Sequence, residues 1–134
     1  MASQLKVDTI TGVTTAGSIL VTGEGNSTTT NLQQGLAKLW SNVDQDSSTA
    51  IRDSLNTSGI TDNATGRHTI SFTTSMGNAE YAYGGMIEAG GCYMLYDSGQ
   101  KATGSVVLTT RDATGSAGEY DYDDCGVAIF GDLA

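Results

Sequence analysis

Few residues in this chain combine the chemistry and the spacing that catalysis requires. His68 is the only histidine, so any triad of serine, histidine and an acid would have to include it. The GxSxG motif of a nucleophile elbow is absent. Residues 23–25, GEG, precede a helix candidate but lack the Gly-Lys-Ser/Thr ending of a phosphate loop. We therefore predict that the protein is not an enzyme and that His68 lies on the surface or at a strand edge.

The sharpest acidic feature is the stretch EYDYDD at residues 119–124. On a strand, Glu119, Asp121 and Asp123 would share one face and the two tyrosines would share the other. Carboxylates are ligands that Ca²⁺ accepts, but the DxDxDG spacing of a calcium loop is absent. We predict a solvated acidic edge, with no metal and no cofactor.

The two cysteines, Cys92 and Cys125, fit no zinc pattern, because there is no CxxC and only one histidine. The N-terminus lacks the basic region and apolar core of a signal peptide. No apolar run approaches the roughly 18 residues that a membrane span requires. We expect synthesis in a reducing cytoplasm, unbridged thiols and no membrane insertion.

Tyrosines are the remaining side chains suited to recognition, and all six lie in the C-terminal half. Aromatic rings that carry a hydroxyl are common at binding surfaces. They are equally common as half-buried residues of a β-sandwich. The candidates for receptor contact are two pairs at period-two spacing: Tyr81 with Tyr83, and Tyr120 with Tyr122.

The net charge of −9, with only six Lys and Arg, argues against partners that carry phosphate groups. A nucleic-acid surface needs clustered basic residues, and no such cluster exists. Nucleic acid and anionic membranes are therefore not expected as partners. The chain has 18 glycines, no proline and 38% apolar residues, which favours strands with polar outer faces and many tight turns.

Residues 1–30 contain too few apolar residues to fold alone. Only residues 5–10, LKVDTI, and residues 18–21, SILV, have strand character. Two isolated strands of this length are at best marginally stable in water. We predict an extended β arm that docks on a larger assembly through its apolar side chains. These docking residues are Leu5, Val7, Ile10 and Leu20.

Residues 31–43 are the one helix candidate. Four apolar residues follow the i, i+4, i+7, i+11 spacing of a helical face: Leu32, Leu36, Leu39 and Val43. Residues 30–33 and 31–34 both fit a capping box. Residues 39–43 fit a strand equally well. A helix this short is marginal alone, so we predict that the apolar stripe packs around the axis of a homotrimer and that residues 31–48 form a helix and linker.

Residues 49–134 contain serial strands separated by turn residues. Strands are predicted at residues 50–60, 68–73, 80–88, 92–96, 105–111 and 119–130, with a bulge near residues 58–59. Turns are predicted at residues 61–66, 89–91, 97–99 and 112–116. No helix-length segment separates the strands, so parallel βαβ units are not expected. We predict a mainly β fold whose C-terminal domain is an antiparallel sandwich of the jelly-roll kind.

Several stretches resemble virion proteins of tailed bacteriophages, especially phages that infect marine bacteria. The stretches are residues 5–10 LKVDTI, 32–40 LQQGLAKLW, 51–56 IRDSLN, 60–63 ITDN and 127–132 VAIFGD. The resemblance touches most of the chain. It implies a short fibre or appendage subunit, usually trimeric, whose N-terminal part docks on the particle.

The resemblance and the residue pattern agree on a homotrimeric virion protein. Its arm would bind other virion proteins of the tail or capsid, and its β-domain would project and contact a polysaccharide or protein of the host envelope. A capsid decoration or cement protein is the alternative, with the arm draped across capsid subunits. A polysaccharide depolymerase would need carboxylates on both sides of a cleft, and Asp121 and Asp123 are too close in sequence for that.

Overall fold

The computed structural model describes residues 4–13, 19–23, 28–87, 92–112 and 118–134. The chain divides into two compact units, Met1–Leu36 and Ala37–Ala134. The boundary lies between residues 36 and 37, so most of the predicted helix and linker, residues 31–48, belongs to the second unit. The turns predicted at residues 89–91 and 113–116 lie outside the described residues.

The first unit contains a two-stranded ribbon and one helical turn. Strand β1, Leu20–Thr22, pairs antiparallel with β2, Thr29–Asn31. Helix α1 spans Leu32–Gly35 and is capped by Asn31, whose side-chain Oδ1 accepts hydrogen bonds from the backbone N–H groups of Gln33 and Gln34. Residues 4–13 form no strand, so the strand predicted at residues 5–10 is wrong. No described apolar residue of this unit is buried.

The predicted helix ends after a single turn. Leu36 already has extended backbone angles, and β3 covers Leu39–Asp44. Strand β3 pairs with β4 on one side and β10 on the other, so its backbone is hydrogen-bonded on both sides. Every second side chain of β3 faces the core and is buried. This pairing outweighs a weak helix that Gly35 weakens further. The alternative reading of residues 39–43 as a strand is confirmed.

The second unit is an antiparallel β-sandwich, as predicted, but its strand order is of the immunoglobulin type and not of the expected jelly-roll type. Its other strands are β4 Ala50–Leu55, β5 Thr57–Ala64, β6 Arg67–Phe72, β7 Ala82–Ile87, β8 Cys92–Ala102, β9 Ser105–Asp112 and β10 Cys125–Phe130. The first sheet has the order β4-β3-β10-β7 and the second the order β5-β6-β9-β8. The second sheet, β5-β6-β9-β8, has the A-B-E-D strand order of immunoglobulin-type sandwiches. In the first sheet, β7, β10 and β3 occupy the positions of strands C, F and G, although β3 precedes the other strands of the sandwich in the chain.

Alternating side chains from both sheets fill the core. The first sheet contributes Leu39, Val43, Cys125, Val127 and Ile129, and the second contributes Ile70, Phe72, Val106 and Leu108. Met76 and Tyr81, from the connection between β6 and β7, close the core, with the ring of Tyr81 edge-on to Phe72 at 5.9 Å. The period-two pattern of the sequence therefore matches the burial in this unit.

Some strand limits differ from those predicted. The bulge at residues 58–59 is confirmed by a register shift between Thr57 and Gly59. The single strand predicted at residues 50–60 is wrong, because the chain passes from β4 in the first sheet to β5 in the second at Asn56. Asn56 has a φ of 61°, and its amide Nδ2 donates to the carbonyls of Lys38 and Thr74. The turn predicted at residues 61–66 is confined to residues 65–66, because β5 runs on to Ala64.

Two predicted elements of the C-terminal half are wrong. The turn at residues 97–99 is absent, because β8 continues through it with a register shift between Tyr96 and Lys101. The strand predicted at residues 119–130 begins only at Cys125. Residues 119–124 instead form a connection held by side chains, as described below.

Candidate functional site

The predicted docking residues of the arm are all exposed. Leu5 exposes 80% of its surface, and more than half of each of Val7, Ile10 and Leu20 is also exposed. Burying one such side chain is worth about 1.5–3 kcal/mol, so the arm has apolar surface that an interface would cover. Docking itself stays a prediction.

The apolar stripe predicted for trimer packing does not exist. Leu39 and Val43 lie on β3 and are fully buried in the core of the sandwich. Leu36 is 54% exposed at the end of α1, and Leu32 is partly buried at its start. The prediction that these four side chains pack on one another across a trimer axis is therefore wrong, because two of them already fill the core of one chain.

The first tyrosine pair belongs to the core. Tyr81 is buried, and its hydroxyl lies 3.0 Å from the carbonyl oxygen of Ser105 and 3.2 Å from that of Ala102. Burial raises the pKa of this hydroxyl to about 12. Tyr83 is partly buried and packs against the same core. The prediction of receptor contact by Tyr81 is wrong, since its ring has almost no accessible surface.

The second tyrosine pair is divided between core and solvent. The rings of Tyr120 and Tyr122 lie 4.9 Å apart at an angle of 52°. Tyr122 packs on the core, whereas Tyr120 is 54% exposed. Of the four tyrosines proposed for recognition, Tyr120 therefore offers a ring face most fully to a partner.

The acidic segment does not form a common carboxylate face. Glu119 pairs with Arg111 at 3.3 Å. The Oδ1 atom of Asp121 accepts the backbone N–H of Gly66, and Asp123 pairs with Arg52. Each carboxylate thus has a separate partner. No group of three ligating side chains that could hold a metal occurs among the described residues.

Arg52 lies at the centre of a cluster of charged side chains. Besides Asp123, its guanidinium lies 3.2 Å from Asp44 and 4.0 Å from Asp124. The hydrogen bond from Arg52 lowers the pKa of Asp44, and the same hydrogen bond raises the pKa of Arg52. Because all these groups are partly exposed, their ion pairs contribute little to stability. We interpret the cluster as a set of contacts that holds residues 123–124, before β10, against β4.

His68 is fully buried, so the prediction of a surface or edge histidine is wrong. It occupies an inward position on β6, opposite Asp62 on β5 and Leu108 on β9. Neither ring nitrogen has a hydrogen-bond partner among the described residues. Burial lowers its pKa to about 4, an effect that the charge of Asp62 partly opposes. The ring is neutral at pH 7 and is not accessible to a substrate.

Cys125 is a buried thiol near the same end of the core. Its Sγ donates to Oε1 of Gln45 at 3.3 Å. The side chain of Cys92 lies outside the described residues. The expectation for the pair of thiols therefore stays a prediction.

An apolar outward face was missed by the sequence argument. Trp40 on β3 lies between Leu55 on β4 and Ala128 on β10, and Phe130 lies opposite Ala82 on β7. The exposed apolar side chains of this face are Trp40, Leu55, Met86 and Phe130. The strand reading of residues 39–43 contained the signal, because burial of Leu39 and Val43 turns Trp40 outward.

A shallow apolar groove of about 520 Å³ lies between β7 and β10 on this face. Its lining is Gly84, Gly85, Met86, Gly126, Val127 and Ala128. Glycines form much of the lining because they lack side chains, and Met86, which is 82% exposed, borders it. We call the face and its groove the apolar face.

The described residues contain no helix that is long and apolar enough to span a membrane. Comparisons of the chain with protein-family models, with curated proteins and with solved structures find no match.

Proposed function

We propose that the protein is a structural subunit of a bacteriophage virion, a short fibre or spike that assembles as a homotrimer. The N-terminal unit attaches the subunit to the tail or capsid. The β-sandwich projects from the particle and contacts the host envelope.

One observation carries this proposal: most apolar side chains in the described part of the first unit are more than half exposed and none is buried, whereas the second unit encloses a core of buried apolar side chains. Leu5, Val7 and Ile10 are exposed, and the first unit has no buried apolar core among its described residues. A chain gains stability by covering such side chains. Attachment to a larger particle covers them, and the sandwich needs no such partner to fold.

Self-association of the proposed trimer requires a surface other than the predicted stripe. The apolar face is available for it because Trp40, Leu55 and Phe130 point away from the core. Four strands about 4.8 Å apart and six residues about 3.3 Å apart give roughly 400 Å². A standard interface buries about 800 Å² per partner, so the apolar face would supply only part of the contact and the N-terminal unit would supply the rest.

Localisation on particles tests the function directly. An antibody against the sandwich should label purified particles of the phage that encodes the protein, and imaging should place the label on the tail. Label spread over the capsid would indicate the alternative, a decoration or cement protein. Particles that carry no label, although infected cells contain the protein, would contradict a virion role.

A second measurement tests the oligomer. Light scattering of the full chain at micromolar concentration should give three times the mass of 13.8 kDa. Trp40→Ser should reduce this mass, whereas Ser71→Thr on the second sheet is the matched surface control. A monomer for the unaltered chain would exclude the trimer.

A further inference from the structure

The outer face of the second sheet carries a polar depression of about 290 Å³. Four strands contribute to its lining. The lining residues are Asn63, Ala64, Arg67, Thr69, Gln100 and Val107. Most of these side chains donate or accept hydrogen bonds, in contrast to the glycine and alkyl lining of the apolar face.

Two strand irregularities border this depression. The register of β5 against β6 shifts between Asp62 and Ala64, which leaves Asn63 as the extra residue. The register of β8 against β9 shifts between Tyr96 and Lys101, and Gln100 lies within that shift. Bulges bend a strand and redirect its side chains, and they are frequent beside binding sites. The regular strands β6 and β9 lie between the two irregular ones.

The polar groups of the depression are partly oriented already. The amide Nδ2 of Asn63 donates to the Thr69 hydroxyl at 2.8 Å, which holds both side chains against the sheet. Gln100 is exposed and brings a second amide. Arg67 adds a planar guanidinium whose parallel N–H groups match the two oxygens of a carboxylate. Neutral amides and a hydroxyl beside one cation suit a ligand with several hydroxyls and a single negative charge.

The local charge also favours an anion, although the chain as a whole is strongly acidic. The six residues that line the depression include one cation, Arg67, and no Asp or Glu. Among the described residues of this face, Arg111 is paired with Glu119 and lies outside the lining, whereas Arg67 is part of it.

We propose that this depression binds one carboxylate-bearing sugar residue of the uronic acid class. Arg67 binds the carboxylate, while Asn63, Thr69 and Gln100 bind the ring hydroxyls. The volume of about 290 Å³ lies just below the usual range for ligand pockets, about 300–1,000 Å³, so the depression suits no more than a single sugar ring. The inference rests on the proposed function in so far as a projecting head would meet such sugars on a host envelope.

The test is a titration of the full chain with glucuronate, followed by calorimetry or by amide chemical shifts. Saturable binding is expected, with glucose at least about tenfold weaker, because it lacks the carboxylate partner of Arg67. Acetate should also be at least about tenfold weaker, because it lacks the hydroxyls. Equal affinity for glucose and glucuronate, or for acetate and glucuronate, would overturn the proposal.

Variants locate the site. Arg67→Gln should weaken glucuronate binding at least about tenfold, and Arg111→Gln, on the same face but outside the depression, should change it less than about twofold. Unchanged affinity in Arg67→Gln would overturn the assignment. If Arg67→Gln fails to fold, Asn63→Ala replaces it, since Asn63 is an exposed residue of a bulge and a loss of affinity is again expected.

Failure of the sugar site and failure of the virion role are distinguishable. The titration uses the purified chain and does not depend on particles. Labelled particles with no glucuronate binding would remove the sugar site alone, whereas binding without labelled particles would remove the virion role alone.

Discussion

The two compact units place the same kinds of apolar residue in opposite environments. In the first unit, Leu20 on β1 is exposed, and its ribbon has only one partner strand. In the second unit, Ile129 on β10 is fully buried, because β10 has neighbours on both sides and a second sheet above it. Burial is thus decided by whether a second sheet covers the face on which a side chain lies, and the two-stranded ribbon has no such cover among the described residues of its unit.

The two outward faces of the sandwich extend this comparison. The first sheet presents Trp40, Met86 and Phe130, and the second presents Arg67 and neutral polar groups around a depression. The two outward faces therefore differ in chemistry, and our proposals assign self-association to the apolar one and a carboxylate-bearing sugar to the polar one.

The largest expected effect comes from opening the core. Ile129→Ala should lower the free energy of unfolding of the sandwich by about 2–5 kcal/mol, because it removes buried methyl groups and leaves a cavity. Leu20→Ala in the ribbon is the matched control and should change it by less than about 0.5 kcal/mol. Denaturant unfolding of the full chain measures both. Equal losses would show that the ribbon has a core of its own.

The next largest effect on stability is expected from a substitution of Gly66, compared with the same substitution of Gly35. Gly66 has a φ of 66°, and an added Cβ would lie against the backbone N of Tyr120 and 2.7 Å from the carbonyl oxygen of Thr110. Gly66→Ala should cost at least about 2 kcal/mol, because both the left-handed backbone and the close approach oppose it.

Gly35 is the control for Gly66, since an added Cβ there meets nothing within 4 Å. Gly35→Ala should leave the unfolding of the sandwich unchanged. Thermal melting of the two variants gives the comparison. A melting temperature of Gly66→Ala equal to that of the unaltered chain would contradict the contact with the segment before β10.

We expect the free energy of unfolding of the sandwich to fall at acidic pH, because His68 is buried in the neutral form. The unfolded chain binds a proton at His68 near pH 6.5, whereas the folded chain binds it only near pH 4. Since the unfolded state holds more protons between these values, stability falls as the pH is lowered from 6.5 to 4, by at most about 3 kcal/mol.

His68→Leu should remove this contribution between pH 6.5 and pH 4.5. Urea unfolding at several pH values, compared with the unaltered chain, measures it. Asp44 does not obscure the result, because its pKa is lowered from 3.8 and the associated loss occurs at more acidic pH. Parallel pH profiles for the two proteins would mean that His68 has a polar partner in solution.

The smallest effect concerns the segment before β10. Arg52→Gln should lower the urea midpoint of the sandwich only slightly, because its ion pairs are exposed, and the difference should shrink when the salt concentration is raised. Lys6→Gln, in the exposed arm, is the control and should leave the midpoint unchanged. A large, salt-insensitive drop of the midpoint in Arg52→Gln would show that the cluster is shielded from solvent.

Much of the second unit was predictable because its strands alternate. Residues 68–73 and 105–111 were predicted within a residue or so of β6 and β9, since apolar side chains recur at period two in both. The bulge at residues 58–59 followed from a break in that alternation. Residues 119–124 were misassigned, because their alternation of tyrosines and acids reflects separate partners such as Arg111, Gly66 and Arg52.

The candidate sites were less predictable than the strands. No sequence motif links Asn63, Arg67 and Gln100, and Gln100 lies more than thirty residues after the other two. The pairing of β5, β6, β9 and β8 brings the three residues to one depression. Tyr81 and Tyr83 had the composition of a recognition pair but face the core. A side chain's type does not reveal which side of a sheet will be covered.

By itself, the sequence determined that this protein is mainly β and that its first thirty residues contain few apolar side chains from which a core could form. These properties follow from composition and local periodicity. Only the tertiary structure decided that residues 39–44 form a strand, that His68 is buried and that Trp40 faces outward. The physical reason is that strand pairing and burial depend on neighbours far away in the chain, and these outweigh the small local preferences between helix and strand.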